Sequence, residues 1–398
     1  MINLSSIINQ YGQPKAIIDY PNKNNVKKMV FDFSDSICLK PDKTMLVNNQ
    51  IIKGNCLEVW QNQIEKWKSE TKDDDIAAIG FFSYDFKNII YPNYQFKKPQ
   101  LEDMPYFWFG KPKKMIDIED FHYDFNYQKI DLKTDIQDLK KFEKIINNIK
   151  EYLYSGDTYQ INYTQPIRFN FEGSCLDLYM QIKDDAKPKY GFYLDINEAQ
   201  VLSFSPEKFF TKQGSEIESY PIKGTIKKLG DKERDQLQIK KLSNSQKDKA
   251  EHLMIVDLIR NDIGKISKFG SVNVKQLFSI ETFETIHHMV SKITGSITSD
   301  IKEIDIIKAL FPGGSITGAP KFKSMQIIDN LEDYNRNLYT GCIGSVLGNG
   351  DMDFNICIRT MTIKNNDAVY PVGGGIVWDS NAEEEHCEAQ QKANILKY

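Results

Sequence analysis

The chain has 398 residues, 40% of them apolar, and its 51 Lys and Arg nearly balance 55 Asp and Glu, for a formal net charge of −4. That length suffices for one large domain or two ordinary ones around a sizeable core, and a disordered chain is not expected. Without a basic field to attract a phosphate backbone, nucleic acid is not an expected partner.

The first twenty residues, MINLSSIINQYGQPKAIIDY, lack a basic stretch leading into an apolar core and a small-residue cleavage site, and no later run approaches eighteen apolar residues. The expectation is a cytoplasmic protein that makes no use of a membrane. Cys38, Cys56, Cys175, Cys342, Cys357 and Cys387 show no C-x-x-C spacing and read as reduced thiols, neither a zinc site nor a disulfide framework.

Residues 1–125 mix short apolar runs such as AAIGFFSYDF with proline-bearing polar stretches, and read as a short β-rich region packed on the catalytic part, residues 126–398. From about 134, KTDIQDLKKFEKIINNIKEYLYSGD repeats its apolar residues at three and four, which predicts an amphipathic helix with Asp135 and Gly156 in capping roles. Short strands follow (YGFYLDI, QVLSFS, EKFFTK, EIESYPI), then a helical stretch over 232–265 and further strands. Near the C-terminus, YTGCIGSVLGNG, DMDFNICIRTMTIKNN and DAVYPVGGGIVWDS read as a three-stranded meander, and NAEEEHCEAQQKANILKY as a closing helix. Strands without regular βαβ alternation predict an α+β chain with mixed or antiparallel sheets flanked by helices.

Within SQKDKAEHLMIVDLIRNDIG, the acids Asp248, Glu251 and Asp257 sit among Leu253, Met254, Ile255, Val256, Leu258 and Ile259. A helix that apolar is expected to be buried, and buried carboxylates need a cation or a donor. Asp248 and Glu251 share a helical face, and Glu385 and Glu388 repeat the spacing with Lys392 four residues on. Two acidic faces suit one magnesium ion, which prefers oxygen ligands and keeps waters that substrate carboxylates can replace; read alone, the same pairs also suit solvated helix faces.

Glu207 follows a proline in SFSPEKFF, and Lys223 stands beside a glycine in YPIKGTIKK. Desolvation lowers a lysine's pKa and frees its amine as a nucleophile, whereas burial raises a glutamate's and makes it an acid; the ordinary alternative is a packed lysine stem with its ammonium in water. FPGGSITGAPK, with Gly313, Gly314, Gly318 and Pro320, suits a turn that offers N–H groups to an anion, or a purely structural turn, and lacks the order of a P-loop. GGGIV, with Gly373, Gly374 and Gly375 opening a strand, permits close backbone approach. Arg359 in the strand NICIRTMTI can present a planar fork to a carboxylate or sit in a surface ion pair, and His287 and His288 are equally open.

In chain order, SGDTYQINYTQ, SFSPE, YPIKGT, AEHLMIVDLIRND, ETIHHMVS, GGSITGAPK, YTGCIGS, NICIRT, GGGIVWDS and the acidic last helix together resemble the chorismate-utilising enzymes. That family holds the large subunits of anthranilate and aminodeoxychorismate synthases, with isochorismate and salicylate synthases. The resemblance spans residues 155–393 and implies an anthranilate synthase component I-like fold with α/β/β/α layers.

Two positions separate its members. Isochorismate and salicylate synthases carry a water-activating lysine where this chain has Gln160, and anthranilate synthases carry alanine where it has Lys223, so the pair resembles the aminodeoxychorismate synthases. The resemblance then implies Lys223 as the nucleophile at C2 of chorismate and Glu207 as the acid that protonates the departing C4 hydroxyl, before ammonia adds at C4. It implies Mg2+ on Glu251 and Glu388, with Asp248 and Glu385 binding directly or through water. It implies Tyr339, Arg359, Lys392 and the N–H groups near Gly374 and Gly375 as carboxylate receivers, with Gln160, Thr317 and His288 against the substrate. Anthranilate synthase component I is the alternative within the family, and a non-catalytic scaffold the alternative outside enzymes.

The chain departs from the family where its last helix reads DSNAEEEHCEA, without the usual proline before the first glutamate and threonine after the last. The leucine-leucine-glutamate-serine element used to hold tryptophan is not found, so feedback inhibition by tryptophan is not expected. No glutaminase motif is found, which implies a separate glutamine amidotransferase subunit or free ammonia.

Overall fold

A computed structural model describes residues 2–20, 27–100, 102–119, 121–283 and 286–396. Glu284 and Thr285, which open the ETIHHMVS motif, and the terminal Lys397 and Tyr398 lie outside the described residues.

One continuous run of antiparallel ladders organises the chain. From the central strand Lys27–Leu39 it passes one way through Ala16–Asp19, Tyr190–Asp195, Gln200–Ser205, Thr360–Lys364 and Asp367–Ile376 to Gln160–Asn170. The other way it passes through Phe107–Ile118, Ile76–Phe82, Cys342–Leu347, Met352–Ile356, Lys208–Gln213 and Glu216–Ser219 to Ile286–Ser296. The latter also pairs with Ile222–Lys227 and Asn273–Thr282. Strands from residues 1–125 therefore form the middle of the run and join its two halves.

The run doubles back into two sheets because side chains alternate along each strand. Ala16 and Ile18, Phe192 and Leu194, Ile79 and Phe81, and Ile343 face one another in a core between the sheets. Their alternates, Ile17, Tyr193, Leu202 and Phe204, pack outward with residues of helices Cys175–Ala186 and Ala382–Ala393. On the far side, Cys342, Val346 and Phe354 pack with residues of helices Cys56–Ser69, Gln246–Gly264 and Glu303–Leu310. This is the layered α/β/β/α arrangement of an α+β protein. Among the described residues no helix is long and apolar enough to cross a membrane.

Several local expectations change. The amphipathic helix runs Leu139–Tyr154 with Asp138, not Asp135, as its N-cap, accepting the Lys141 N–H at 3.0 Å. It starts late because Asp131–Thr134 are drawn into a ladder with Arg168–Asn170. Gly156 does take a left-handed φ of 74° just past the end. The 232–265 stretch is two helices, Lys232–Asn244 and Gln246–Gly264, and Ser245 between them caps the second by accepting the Asp248 N–H at 3.2 Å.

The second helix is not buried all round. Its apolar residues are contiguous, so they point in every direction: Ile255 and Val256 are in the core, whereas Leu253 is 45% exposed. The C-terminal meander has four strands, because DMDFNICIRTMTIKNN breaks at Cys357–Arg359 into one strand paired with Cys342–Leu347 and another paired with Asp367–Ile376. Gly373, Gly374 and Gly375 close the last strand; it opens at Asp367, after a turn in which Asn365 and Asn366 both take positive φ.

Candidate active site

Glu207 lies just past the Gln200–Ser205 strand, where Pro206 breaks the ladder and turns the chain inward. Its carboxylate is 7% exposed and accepts a hydrogen bond from Ser315 Oγ at 2.8 Å. Burial pushes the Glu207 carboxyl up to about 7, against the Ser315 hydrogen bond and the Lys223 ammonium, which pull it down. An acid so placed holds its proton near neutral pH and can give it up there.

Lys223 comes from Ile222–Lys227, whose ladder is irregular between Lys223 and Thr225. Gly224 at that irregularity has φ 75°, and a Cβ there would stand 3.2 Å from the Asp248 side chain, so glycine lets the acidic helix close on the lysine strand. A Cβ on Gly375 would lie 3.0 Å from Lys223 Nζ and 2.9 Å from Gln160 Nε2. The bare backbone thus leaves space that the ammonium and the amide share. Gln160 is fully buried, and neither its Nε2 nor its Oε1 has a partner among the described residues. A buried amide left open beside a lysine suits a polar ligand.

The acidic residues approach from two helices. The Glu251 side chain, within helix Gln246–Gly264, makes no hydrogen bond or ion pair among the described residues. Burial raises its carboxyl, Lys223 and Lys247 oppose this, and the like charges of Asp248 and Glu388 add to it. Burial also raises Glu385, which accepts a 2.7 Å hydrogen bond from Ser380 Oγ and feels Glu388. Burial works the same way on Glu388, but the Lys392 ammonium 2.7 Å away, with Lys223 and Lys247, holds it below its ordinary value. No three of these carboxylates converge as a ready-made cation cage among the described residues. Asp257, the third acid of its helix, is exposed and paired with Arg260 at 2.7 Å, away from this group.

Arg359 takes φ 49° in the break between two strands, an unusual backbone for a residue with a Cβ. Its guanidinium has no ion pair among the described residues, which leaves the fork open to an anion. His288 is 6% exposed, with Nδ1 2.7 Å from Thr225 Oγ1. Burial first, then Arg359 and Lys189, push it down to about 4, so its ring is neutral at neutral pH. His287 turns the other way, toward Thr282 and Asp235.

A cleft of about 210 Å3 is lined by Glu207, Lys223, His288, Tyr339, Arg359, Gly373, Gly374, Gly375, Glu388 and Lys392. Lys392 donates to the Gly373 carbonyl at 2.6 Å as well as to Glu388, so it is already engaged. Thr317 is not on the cleft wall: it is fully buried, and its hydroxyl donates to Gly313 O at 2.9 Å within the turn. Sequence reasoning missed Ser315, Asn162 and Thr225, whose small polar side chains carry no signal until the fold brings them to Glu207, the cleft wall and His288. It also missed Arg336, 3% exposed, which binds Glu332 at 2.6 and 2.8 Å and donates to the carbonyls of Asn162 and Ile316, tying the strand and the turn behind the cleft together.

Residues 122–398 match the chorismate binding enzyme family, and the chain belongs to that family. It is 43% identical to aminodeoxychorismate synthase component 1 of Escherichia coli (strain K12), over 65% of this chain and 57% of that protein. It is 36% identical to anthranilate synthase component 1 of Saccharolobus solfataricus, over 81% of this chain and 80% of that protein. The chain thus spans a little over half the length of the aminodeoxychorismate synthase relatives that it matches. Among solved structures, anthranilate synthase component I from Streptococcus pneumoniae TIGR4 superposes with a TM-score of 0.83 at 25% identity, covering 95% of this chain and 93% of that one. The menaquinone-specific isochorismate synthase of Escherichia coli shares the fold, with a TM-score of 0.70 at 15% identity over 97% and 88% of the two chains.

Proposed function

We propose that the chain is the chorismate-aminating component of an aminodeoxychorismate synthase, forming 4-amino-4-deoxychorismate on the way to 4-aminobenzoate and folate. The observation that carries this reading is that Lys223 and Glu207 face one cleft, an amine beside a carboxylic acid that keeps its proton near neutral pH. The Lys223 amine attacks C2 of chorismate, the ring double bond shifts, and the C4 hydroxyl leaves as water with the proton of Glu207. Ammonia then adds at C4 and returns a proton to Glu207, the double bond moves back, and Lys223 is expelled from C2 with its electron pair. The net change is chorismate plus ammonia to aminodeoxychorismate plus water.

Arg359 and Tyr339 receive substrate carboxylates, with the N–H groups near Gly374 and Gly375, and the open amide of Gln160 contacts the substrate beside Lys223. Neutral His288 stands against the ring, with no charge to repel a cationic neighbour. The acidic helices suit Mg2+, because Glu251 has no other partner and the like charges around it call for a cation. Since no three carboxylates converge, the ion would keep waters: Glu251 and Glu388 would hold it, with Asp248 and Glu385 directly or through water. Bound there, it would neutralise and fix the ring carboxylate of chorismate. The ammonia comes from solution or from a glutamine amidotransferase subunit.

Anthranilate synthase component I is the second reading, favoured by the relative matched over most of its length. The experiment is mass-resolved product analysis with chorismate, Mg2+ and ammonium at mildly alkaline pH. Aminodeoxychorismate supports the proposal, anthranilate the second reading, and no product even with an amidotransferase subunit added rejects both.

A further inference from the structure

Spaces larger than the cleft lie elsewhere on the surface. A trough of about 660 Å3 lies between helix Leu139–Tyr154 and strand Gln160–Asn170, and it shares no lining residue with the cleft. The strand serves both: its start brings Asn162 to the cleft wall, and its later residues Gln165 and Arg168 line the trough.

Two features mark the trough as built to hold something. The first is on its floor. Gln165 is 2% exposed; its Oε1 accepts the Gln137 N–H at 2.8 Å, but its Nε2 has no partner among the described residues, and neither has Oε1 of Gln137. A buried amide donor without an acceptor costs about 1–3 kcal/mol, so an oxygen-bearing occupant is the natural remedy. The second is on its rim. Arg168 and Lys144 reach it, and neither side chain makes an ion pair or hydrogen bond among the described residues. Lys141, also on the lining, is paired with Asp138 at 3.8 Å, so Arg168 and Lys144 are the cations left to face Asp135 and Asp333.

We propose that this trough is a second ligand site, distinct from the cleft, that takes a small organic anion. Its carboxylate or phosphate lies on the Arg168 fork and the Lys144 ammonium, and a further oxygen accepts from Gln165 Nε2. A planar guanidinium beside an ammonium binds either acid group, and the volume admits a metabolite instead of a lone ion. The inference does not rest on the function proposed above, since it concerns other residues and a binding equilibrium.

Calorimetric titration of the full chain with citrate, and separately with inorganic phosphate, tests it. The expected result is saturable binding of at least one of them, weakened about tenfold or more in Arg168→Ala/Lys144→Ala. Both substituted trough residues are exposed, so the fold does not depend on them. Citrate alone marks a carboxylate ligand and phosphate alone a phosphate ester, and either supports the site. No saturable binding of either anion at millimolar concentration overturns the proposal. So does wild-type affinity in the double variant, which would put the anion elsewhere.

Discussion

Replacing Glu207 by Gln tests the electrostatics of the cleft without any substrate. Burial raises the folded-state pKa from 4.5 to about 7, so the folded protein holds this proton more tightly than the unfolded chain does. At about 1.4 kcal/mol per pH unit, the difference amounts to about 3 kcal/mol of stability. A raised pKa contributes stability that is fully present below the unfolded value and is lost as pH rises through the folded one. Wild-type protein should therefore lose about 2–3 kcal/mol from this group between pH 5 and pH 8.5. Glu207→Gln keeps an oxygen for Ser315 but has no proton to lose, so this loss should vanish from its profile. The assay is urea unfolding of both proteins at the two pH values, with the difference between their pH dependences isolating Glu207 from other titrating groups. Parallel profiles would show that the carboxyl is not held protonated, and the argument for it as the acid would fail.

Lys223→Ala removes the proposed nucleophile while leaving Glu207 and the acidic helices in place, so aminodeoxychorismate formation should fall by on the order of 10^3 or more; single-turnover product analysis measures it. Gly375→Ala puts a methyl 2.9 Å from Gln160 Nε2 and 3.0 Å from Lys223 Nζ. Both are ends of side chains that can give way, so turnover should drop well before the unfolding midpoint moves. Arg336→Met leaves buried Glu332 without its cation and should cost about 3–5 kcal/mol in urea unfolding, whereas Arg336→Met with Glu332→Leu should recover only the part due to the unpaired charge, because the Asn162 and Ile316 carbonyls and the Thr164 N–H stay without these partners.

Chemical type was legible in the residues at several points. The acidic pairs Asp248–Glu251 and Glu385–Glu388 follow from helical spacing, and their helices do bring them into one electrostatic group. Motif order over the last two-thirds of the chain was enough to indicate the family. Burial was legible only where apolar residues kept a period: Phe142, Ile146 and Ile149 are on the core side of their helix as the spacing predicts. The contiguous run Leu253–Val256 misled, because an unbroken apolar stretch has no preferred face. Thr317 belongs to a motif of the site, yet its hydroxyl closes the turn that carries Ser315 toward Glu207.

By itself, then, the order of residues determined the α+β class, the family and the chemical kinds of group available, because periodicity and motif are local properties of the chain. Only the tertiary structure decided what each group can do. Glu207 keeps its proton near neutral pH because the fold buries it, and burial outweighs the opposing pull of Ser315, which lies more than a hundred positions away, and of Lys223. Arg359 is open to an anion because two strands that read as one part company at a positive φ. Desolvation and charge proximity arise only when distant segments meet, so pKa values and open hydrogen-bonding groups are properties of the fold.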